Sequence, residues 1–467
     1  MNSELDSFVA SLRTSLSKEA DVLTPTDGEA FERRLVRWSE YDRKTPAAIV
    51  LPATDADIVS TVKLAVQCGI PFVPKAGGHS PGWSVIGAPG IIIDLGKMNA
   101  ITVDADKKQA TLQAGVLTGE ANEATAAHGV YLCLGSADSL GVMGYLLGGG
   151  LGFFMGIMGV ASDHILSAKL VTAAGDLLTV SSTSHRDLLY AIRGAGQFFG
   201  IVTEVTLQGF GPSIFRTPDA SIWSGAMVFP ASKAPEVFPA MEQVFSDQSQ
   251  AHSAGVVFTT LPGTTDPIIV YIPFFFGDSS AAERFFAPII SCGPVVNSCM
   301  PRPFATVNKM AEAPEATSIK KPMGWPLRSI RVQDLHTIMD AVVDLRKECP
   351  DAKRSVYMLI LARTPAELSP TFGPEPESAF ACQRGFMTWV ECVLNYEDAA
   401  SKEVTEAAVS RLHDRLVDSG GLAEDTSFQN WTRDMPLEKI YRDGHLEKLQ
   451  GLKQRWDPQG IFTQYLL

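Results

Sequence analysis

Short apolar runs alternate with a helical segment near the start of this chain, and that alternation limits the possible folds most. The stretch AAIVL (47–51) is a short apolar run closed by a proline. DADIVSTVKLAVQCGI follows with the spacing of an amphipathic helix, and IPFVPK and GIIIDL are two more apolar runs. Strand, helix and strand in this order predict an α/β unit in the first half of the chain.

From about residue 212 the pattern changes to longer apolar or alternating runs. The runs are IWSGAMVF, AGVVFTTL, PIIVYIPFFF, SVYMLILA and FMTWVECVLNY, and helical patterns lie near 234–247, 279–291, 331–347 and 398–418. Several strands with helices on one face predict an antiparallel α+β layer. The length of 467 residues also favours two domains, so we expect an α+β protein of two domains.

The charge balance narrows the classes of partner. The net charge is −13 and the pI is about 5.2, with no block of Lys and Arg, so we expect a small-molecule substrate and no nucleic acid. The first residues do not resemble a secretory signal, and no run is apolar enough for a membrane helix; we expect a cytoplasmic protein. The seven cysteines lack framework or metal-ligand spacing, so we expect buried free thiols and no metal.

Three glycine clusters lie in the first half: Gly77–Gly78, the segment 141–152, and the segment 194–200. Glycine permits a close approach of the backbone to a ligand, and successive N–H groups can cradle a diphosphate. Each cluster alone fits ordinary turns. No cluster is a Walker loop or a clean GxGxxG, which makes a Rossmann nicotinamide reductase a weaker interpretation. Three clusters together favour a large diphosphate cofactor, and His79, directly after two glycines, would be presented to it.

These segments stand in the order of a flavoprotein family. PKAGGHSPGWS, GIIIDLGKMN, ATLQAGV, LGVMGYLLGGGLG, AKLVTAAGDLL, DLLYAIRGAGQFFGIVTEV and RWDPQGIF resemble motifs of the vanillyl-alcohol-oxidase/p-cresol-methylhydroxylase (PCMH-type) flavoproteins. The closest resemblance is to the berberine-bridge-enzyme-like and 6-hydroxynicotine-oxidase-like branch, over roughly residues 45–211 and 436–467. It implies an FAD-binding domain of residues 1–211, to which 436–467 return, and a substrate-binding domain of residues 212–435 with an antiparallel sheet covered by helices.

The resemblance also implies how FAD is held. In the family, the histidine of GGHS is joined through a ring nitrogen to the 8α-methyl group of FAD, and His79 has that position. Many relatives carry a second tether, a cysteine, where this chain has Ala137, and Cys133 lies four residues too early. We therefore expect one covalent bond. The other residues expected at the cofactor are Lys75, Ala76, Gly77, Gly78, Ser80, Ala137, Asp138, Ser139, Gly141, Gly144, Tyr145, Gly149, Gly150, Ile201 and Val202.

Glu391 is the candidate catalytic base. In GFMTWVECVLNY, alternation places Met387, Trp389 and Glu391 on one face of a strand. Burial raises the pKa of a carboxyl group, which suits a base that works near neutral pH. In berberine-bridge enzymes the base stands six residues beyond the glycine of a turn, as Glu391 stands beyond Gly385. The alternative is an edge-strand glutamate that faces water.

Tyr441 is the second catalytic candidate, because relatives have a Y-x-x-x-N segment whose tyrosine borders the flavin. Here His445 replaces the asparagine, and Tyr441 has an ordinary packing role as its alternative. A tyrosine of plant relatives is Met158 here, so plant substrates are not carried over. His164 is a candidate for a place near the cofactor, whereas Tyr271 and Tyr357 belong to no motif and are expected to pack in the core rather than to act in catalysis.

The function implied is an FAD-dependent oxidase. It would dehydrogenate a small, hydrophobic natural-product intermediate, with hydride transfer to flavin N5 and electrons passing to O2 to give H2O2. The alternative is a flavin-bearing cyclase of secondary metabolism that closes a ring in a reactive intermediate. Peroxide formed in proportion to product would separate the two.

Overall fold

The computed structural model describes residues 3–80, 85–260, 266–310, 318–363, 377–380, 388–432 and 435–463. The helices are α1 Ser3–Ser15, α2 Glu29–Leu35, α3 Asp55–Gln67, α4 Thr118–Ala126, α5 Val142–Leu147, α6 Met155–Met158, α7 Arg186–Ala195, α8 Ala234–Ser246, α9 Ser279–Phe285, α10 Ala287–Ile290, α11 Val332–Glu348, α12 Lys402–Asp418, α13 Leu437–Ile440 and α14 His445–Trp456. The strands are β1 Asp21–Leu23, β2 Ala48–Leu51, β3 Phe72–Lys75, β4 Ile91–Asp94, β5 Ile101–Asp104, β6 Gln109–Gln113, β7 Ile165–Val171, β8 Leu177–Ser181, β9 Ile201–Gln208, β10 Ser221–Ser224, β11 Met227–Pro230, β12 His252–Thr260, β13 Pro267–Phe275, β14 Val296–Asn297, β15 Met300–Pro303, β16 Ile319–Pro326, β17 Val356–Arg363 and β18 Thr388–Tyr396.

The first sheet has the order β1-β2-β4-β3. Strands β2, β4 and β3 are parallel, as the strand–helix–strand pattern requires, and α3 connects β2 to β3. The Thr54 side chain accepts a hydrogen bond from the Asp57 N–H and begins that helix. Strand β1 pairs antiparallel with β2. The helical spacing of Leu, Phe and Val among charges predicts helix over residues 1–40, and this prediction is wrong at β1, where hydrogen bonds to β2 override a weak helical pattern.

The second sheet is antiparallel and has the order β5-β6-β9-β7-β8. The sequence AKLVTAAGDLLTVS predicts a hairpin that turns at Ala174–Gly175, and the structure confirms it as β7 and β8, with a φ of +75° at Gly175 that favours glycine. The apolar segment HGVYLCLG predicts a further strand, but within the described residues it contributes only an isolated bridge between Tyr131 and Phe210. Its side chains instead pack in the core as an irregular segment.

The third sheet is the antiparallel layer of the second half, with the path β14-β11-β13-β12-β17-β18-β16; β10 also pairs with β13, and β15 pairs with β10. Helices α8, α11 and α12 pack on one of its faces, which confirms an α+β fold with an antiparallel sheet covered by helices. The sequence analysis missed β16, whose residues IKKPMGWP include two prolines and two lysines. Proline is tolerated there because β16 lies at the end of this path, where an N–H is not needed on the outer side.

Besides a small cluster around Phe31, the described residues form two large hydrophobic cores. One is formed by both sheets of the first half and includes Ile440, Tyr441 and Leu449 from the end of the chain. The other lies between the third sheet and its helices. Strand β18 belongs to both, since Trp389 packs in the first core and Val390 in the second. The outward face of the third sheet is thus directed at the first half of the chain.

Six of the seven cysteines lie among the described residues. Cys68, Cys133, Cys292, Cys299, Cys349 and Cys392 are free thiols. Cys68 is exposed, which corrects the expectation that all are buried; Cys382 lies outside the described residues.

Among the described helices, none has both the length and the apolar content needed to cross a membrane.

Candidate functional site

The loop after β3 lies directly against the segment 137–141. Gly77 and Gly141 touch through their backbones: a Cβ on Gly77 would stand 2.3 Å from the Gly141 nitrogen. Gly78 has a φ of +74°, which turns the chain so that His79 follows in a half-buried position. Glycine is required at both contact positions, because neither backbone can move away as a flexible side chain could.

His79 is held by groups from three separate segments. Its Nε2 lies 3.0 Å from the Ser139 hydroxyl oxygen, and its ring stacks on Trp38 with centroids 5.5 Å apart. Lys320, at the start of β16, donates to the Trp38 carbonyl over 2.9 Å. Burial, and secondly the charge of Lys320, lower the pKa of His79 to about 4. The imidazole is therefore neutral at physiological pH.

The glycine-rich segment 141–152 forms α5 and the turn after it. Gly149 and Gly150 have φ values of +115° and +82°. Tyr145 of α5 is buried, and within the described residues its hydroxyl has no hydrogen-bond partner. Open space lies over the exposed Gly144, where a Cβ would meet no atom within 4 Å. These features leave a polar group and a bare backbone available to a ligand.

The other expected cofactor residues surround the same loops. Ala137 and Asp138 are half-buried beside Ser139, and the Asp138 carbonyl accepts from the Gly119 N–H. Ile201 and Val202 begin β9 and are buried. Lys75 differs, because its ammonium forms a buried ion pair with Asp94 at 3.0 Å. The Lys75 ammonium also donates a hydrogen bond to the Arg34 carbonyl. These two contacts hold the end of β3 in place.

Two more segments of the loop region have defined partners. Ala76 lies at the Gly77–Gly141 contact, where its Cβ is 3.2 Å from the position of a Cβ on Gly141. The Ser80 carbonyl accepts from Arg37 over 3.4 Å. The Cys133 thiol is buried and lies 3.3 Å from the Gly159 carbonyl. Burial raises the pKa of Cys133 to about 12, so this thiol stays protonated.

Glu391 lies on the face of β18 that is directed at the first half. It stands between Met358 of β17 and Gly324 of β16, so that a paired strand lies on each side of it. Removal of water raises the pKa of Glu391 to about 7. The side chain keeps part of its surface accessible. The alternative of an edge-strand glutamate does not fit, since β18 is paired on both sides; Met387 lies outside the described residues.

Apolar side chains continue from Glu391 across the sheet. Residues directly opposite one another share a face, which gives a row that crosses five strands. The row consists of Glu391, Met358, Val257, Val270 and Val228, all partly exposed. We name it the Glu391 row. A carboxylic acid at one end of an apolar, accessible strip can meet an apolar ligand with one ionisable group.

The segment 428–431 links the Glu391 row to the glycine loops. The Trp431 ring lies over Gly324 and packs edge-on against Trp389, with ring centroids 5.8 Å apart. The Asn430 amide donates to the Tyr145 carbonyl over 3.3 Å and fills the space above Gly148. Sequence reasoning missed these residues, and Trp38 and Lys320 as well, because they belong to no local motif and meet the site only in three dimensions.

Tyr441 is buried, and its hydroxyl donates to the Gly194 carbonyl over 2.9 Å. Burial raises the pKa of Tyr441 above its ordinary value, so it stays protonated. His445, at the position of the family's asparagine, lies 2.6 Å from the Tyr190 hydroxyl. His164 contacts the Met158 carbonyl. Tyr271 and Tyr357 are buried on the opposite face of the third sheet, in its helical core.

Comparison with known proteins agrees with this arrangement. Residues 46–181 match the family model of the FAD binding domain. The FAD-linked oxidoreductase hasG of Aspergillus fumigatus is 27% identical over 93% of this chain and 94% of its own length.

Solved structures share the fold. The 6-hydroxy-D-nicotine oxidase of Arthrobacter nicotinovorans superposes with a TM-score of 0.81 at 23% identity, over 96% of this chain and 97% of its own. The BBE-like 1 protein of Physcomitrella patens also has a TM-score of 0.81, at 19% identity, over 99% of this chain and 98% of its own.

Proposed function

Because this chain is an FAD-linked oxidoreductase with an FAD binding domain and a PCMH-type fold, we propose that it is an oxidase of a small, hydrophobic natural-product intermediate. The observation that carries the proposal is the placement of Glu391, a carboxyl group with a pKa of about 7, at the end of an apolar row. When bound, FAD would accept a hydride at N5 and pass the electrons to O2, giving H2O2.

The residues of the first half fit FAD. The Tyr145 hydroxyl, which has no hydrogen-bond partner in the part of the chain that the structure describes, and the open backbone at Gly144 offer polar contacts to a ligand. Half-buried Ala137, Asp138 and Ser139 lie beside the histidine loop. Gly149, Gly150, Ile201 and Val202 complete the proposed cofactor site. Lys75 supports it indirectly, by fixing the end of β3.

We place a single covalent tether at His79. The bond would join a ring nitrogen to the 8α carbon of FAD; one proton leaves each atom, and the electron pair released reduces O2 to H2O2. A neutral imidazole has a free lone pair for this bond, and the low pKa of His79 keeps it neutral. Ala137 has no nucleophile for a second bond, and the buried Cys133 thiol is protonated.

Glu391 would remove the substrate proton. Its pKa of about 7 makes the carboxylate available at neutral pH and still basic enough to accept a proton from an O–H or N–H group. Met358 and Val257 would bind the apolar body of the substrate and exclude water. Tyr441 stays a candidate beside the reacting centre; its hydrogen bond to Gly194 supports a role in positioning the 194–200 loop.

The division into two domains remains our proposal as well. The packing of Ile440, Tyr441 and Leu449 in the first core supports a return of residues 436–467 to the FAD-binding domain of residues 1–211. The separate core between the third sheet and its helices supports a substrate-binding domain of residues 212–435.

Acid denaturation tests the tether. Protein precipitated with acid is expected to stay yellow, because a covalent bond survives unfolding, whereas His79→Ala is expected to release all of its flavin into the supernatant. Ser184→Ala, which changes a hydroxyl far along the chain, serves as a control that should stay yellow. A colourless wild-type precipitate would contradict the tether, and oxygen uptake with candidate substrates would test the oxidase reaction independently.

A further inference from the structure

His79 is surrounded by residues from three separate segments of the chain. Trp38 lies between α2 and β2, Ser139 lies in the segment that meets the histidine loop, and Lys320 comes from the third sheet. Each has a defined contact with the ring or with its neighbour. We propose that Ser139 and Lys320 are positioning residues that orient His79 and keep it neutral for attachment of FAD. The inference rests on the proposed tether.

Ser139 sets the orientation of the ring. Its hydroxyl oxygen is 3.0 Å from Nε2, and a hydroxyl can donate to or accept from that nitrogen. The nearly parallel Trp38 ring, inclined by 19°, limits rotation out of the plane. With the plane and one nitrogen held, the other nitrogen points in a fixed direction, as a nucleophile must.

Lys320 sets the charge state. Its Nζ donates to the Trp38 carbonyl and lies 5.2 Å from the centroid of the Trp38 ring. A cation beside an imidazole disfavours protonation of the ring, in addition to the effect of burial. The other charged groups around the loop are Arg37, which contacts the Ser80 carbonyl, and Lys75 with its partner Asp94.

Two hydrogen bonds with the Ser39 side chain fix the backbone of Lys320. The Ser39 hydroxyl donates to the Lys320 carbonyl over 2.6 Å and accepts from the Lys320 N–H over 2.8 Å. The Glu40 N–H also donates to the Ser318 carbonyl over 3.0 Å. The segment 38–40 thus pairs with the start of β16, and this pairing holds the Lys320 ammonium at Trp38, the residue whose ring stacks on His79.

Lys321 is a matched control. It follows Lys320 on the same strand, and both residues are 8% exposed. Its ammonium, however, is directed at Glu406, 3.2 Å away, on the opposite side of the strand. Loss of the Lys321 charge removes a buried lysine from β16 without changing the surroundings of His79.

The experiment follows attachment rather than turnover. Full-length protein from a riboflavin-starved host is mixed with FAD at pH 5 and pH 8, and flavin fluorescence of the acid-precipitated chain is recorded over time. Reversible FAD binding is measured separately by ultrafiltration.

We expect Lys320→Met to bind FAD reversibly but to attach it more slowly, by about twofold at pH 5 and by much less at pH 8, because a moderately higher pKa of His79 leaves less neutral ring at the lower pH. Ser139→Ala should slow attachment at both pH values. Lys320→Arg and Ser139→Thr should restore it, and Lys321→Met should match the wild type.

The outcomes separate the two proposals. Wild-type rates of attachment in both Lys320→Met and Ser139→Ala, with the wild type itself covalently loaded, would overturn this inference and leave the tether intact. A wild type without covalent flavin would overturn both. If Lys320→Met fails to fold, Ser139→Ala with its Ser139→Thr rescue decides, since a hydroxyl lost from a half-buried loop leaves the core unchanged.

Discussion

Burial of Glu391 affects both the stability of the fold and the ability of this carboxylate to act as a base. Neighbouring strands remove water from the carboxylate, which raises its pKa to about 7. A raised pKa means that the folded state holds a proton that the unfolded chain, with its ordinary pKa of 4.5, releases. The wild type is therefore expected to lose stability as the pH rises from about 4.5 to about 7. The same shift makes the carboxylate a competent base near neutrality.

Replacement of Glu391 by Gln tests both the role of this residue as a base and its effect on stability. At pH 8, flavin reduction by substrate should slow by roughly 10²- to 10⁴-fold in a rapid-mixing assay, and the rise of the rate around pH 7 should disappear. Urea unfolding should show the variant more stable than the wild type at pH 8, by up to about 3 kcal/mol, and equal at pH 4. Glu397→Gln, at an exposed site, should change neither. An unchanged reduction rate would remove Glu391 as the base.

Single residues were predictable where a short motif carries them. His79 follows two glycines and Glu391 alternates with Trp389, so local sequence and family resemblance point to both. Lys320 and Trp38 were not predictable, because nothing in IKKPMGWP or in the residues around Trp38 signals a histidine more than 200 positions away in one case and about 40 in the other. Their role arises from tertiary approach alone.

Among the elements, two loops rather than a helix or strand determine the site. The histidine loop and the start of α5 meet through Gly77 and Gly141 without any side chain between them. That contact brings His79 to Ser139. The strands that carry these loops were predicted from their apolar runs, but the direct contact was not, since a glycine in a sequence does not reveal which backbone will approach it.

Gly77→Ala should prevent loading with flavin. Its Cβ would stand 2.3 Å from the Gly141 nitrogen, and backbone atoms can yield only by separating the loops. We expect at least a roughly tenfold loss of bound flavin, measured by absorbance of the purified protein. Gly87→Ala is the matched control, because its nearest neighbour atom would be 3.7 Å away and its φ is not positive. Normal loading of Gly77→Ala would show that the loops tolerate separation.

Over the whole molecule, the end of the chain is part of the first core. Lys453 of α14 forms a fully buried ion pair with Asp457 and donates to the Phe198 carbonyl over 2.7 Å. Asp457 in turn accepts from the N–H groups of Ile461 and Phe462. The antiparallel sheet of the second half was predictable from the change of pattern near residue 212, while the division into two domains stays a prediction. The packing of the tail in the first core was expected only from family resemblance, since no periodicity specifies a partner.

Lys453→Met should reveal how much the tail stabilises the molecule. The variant leaves Asp457 buried without its cation, and such a loss costs about 3–5 kcal/mol in the free energy of unfolding. Arg455→Met, two residues along the same helix, removes an exposed pair with Asp187 and should cost about 0–1 kcal/mol. Urea unfolding of both variants measures the difference. Equal losses in the free energy of unfolding would mean that the buried ion pair stabilises the fold no more than the exposed pair does.

The double hydrogen bond from Ser39 to the backbone of Lys320 joins residues 281 positions apart. During synthesis, the histidine loop leaves the ribosome while Lys320 has still to be translated, and roughly 240 further residues take about 10 to 50 s to add. Throughout that interval the imidazole lacks its cationic neighbour. With the proposed tether at His79 and the proposed role of Lys320, we expect attachment of FAD to reach its full rate only after nearly seven tenths of the polypeptide has been made, which would limit capture of the cofactor by an unfinished fold.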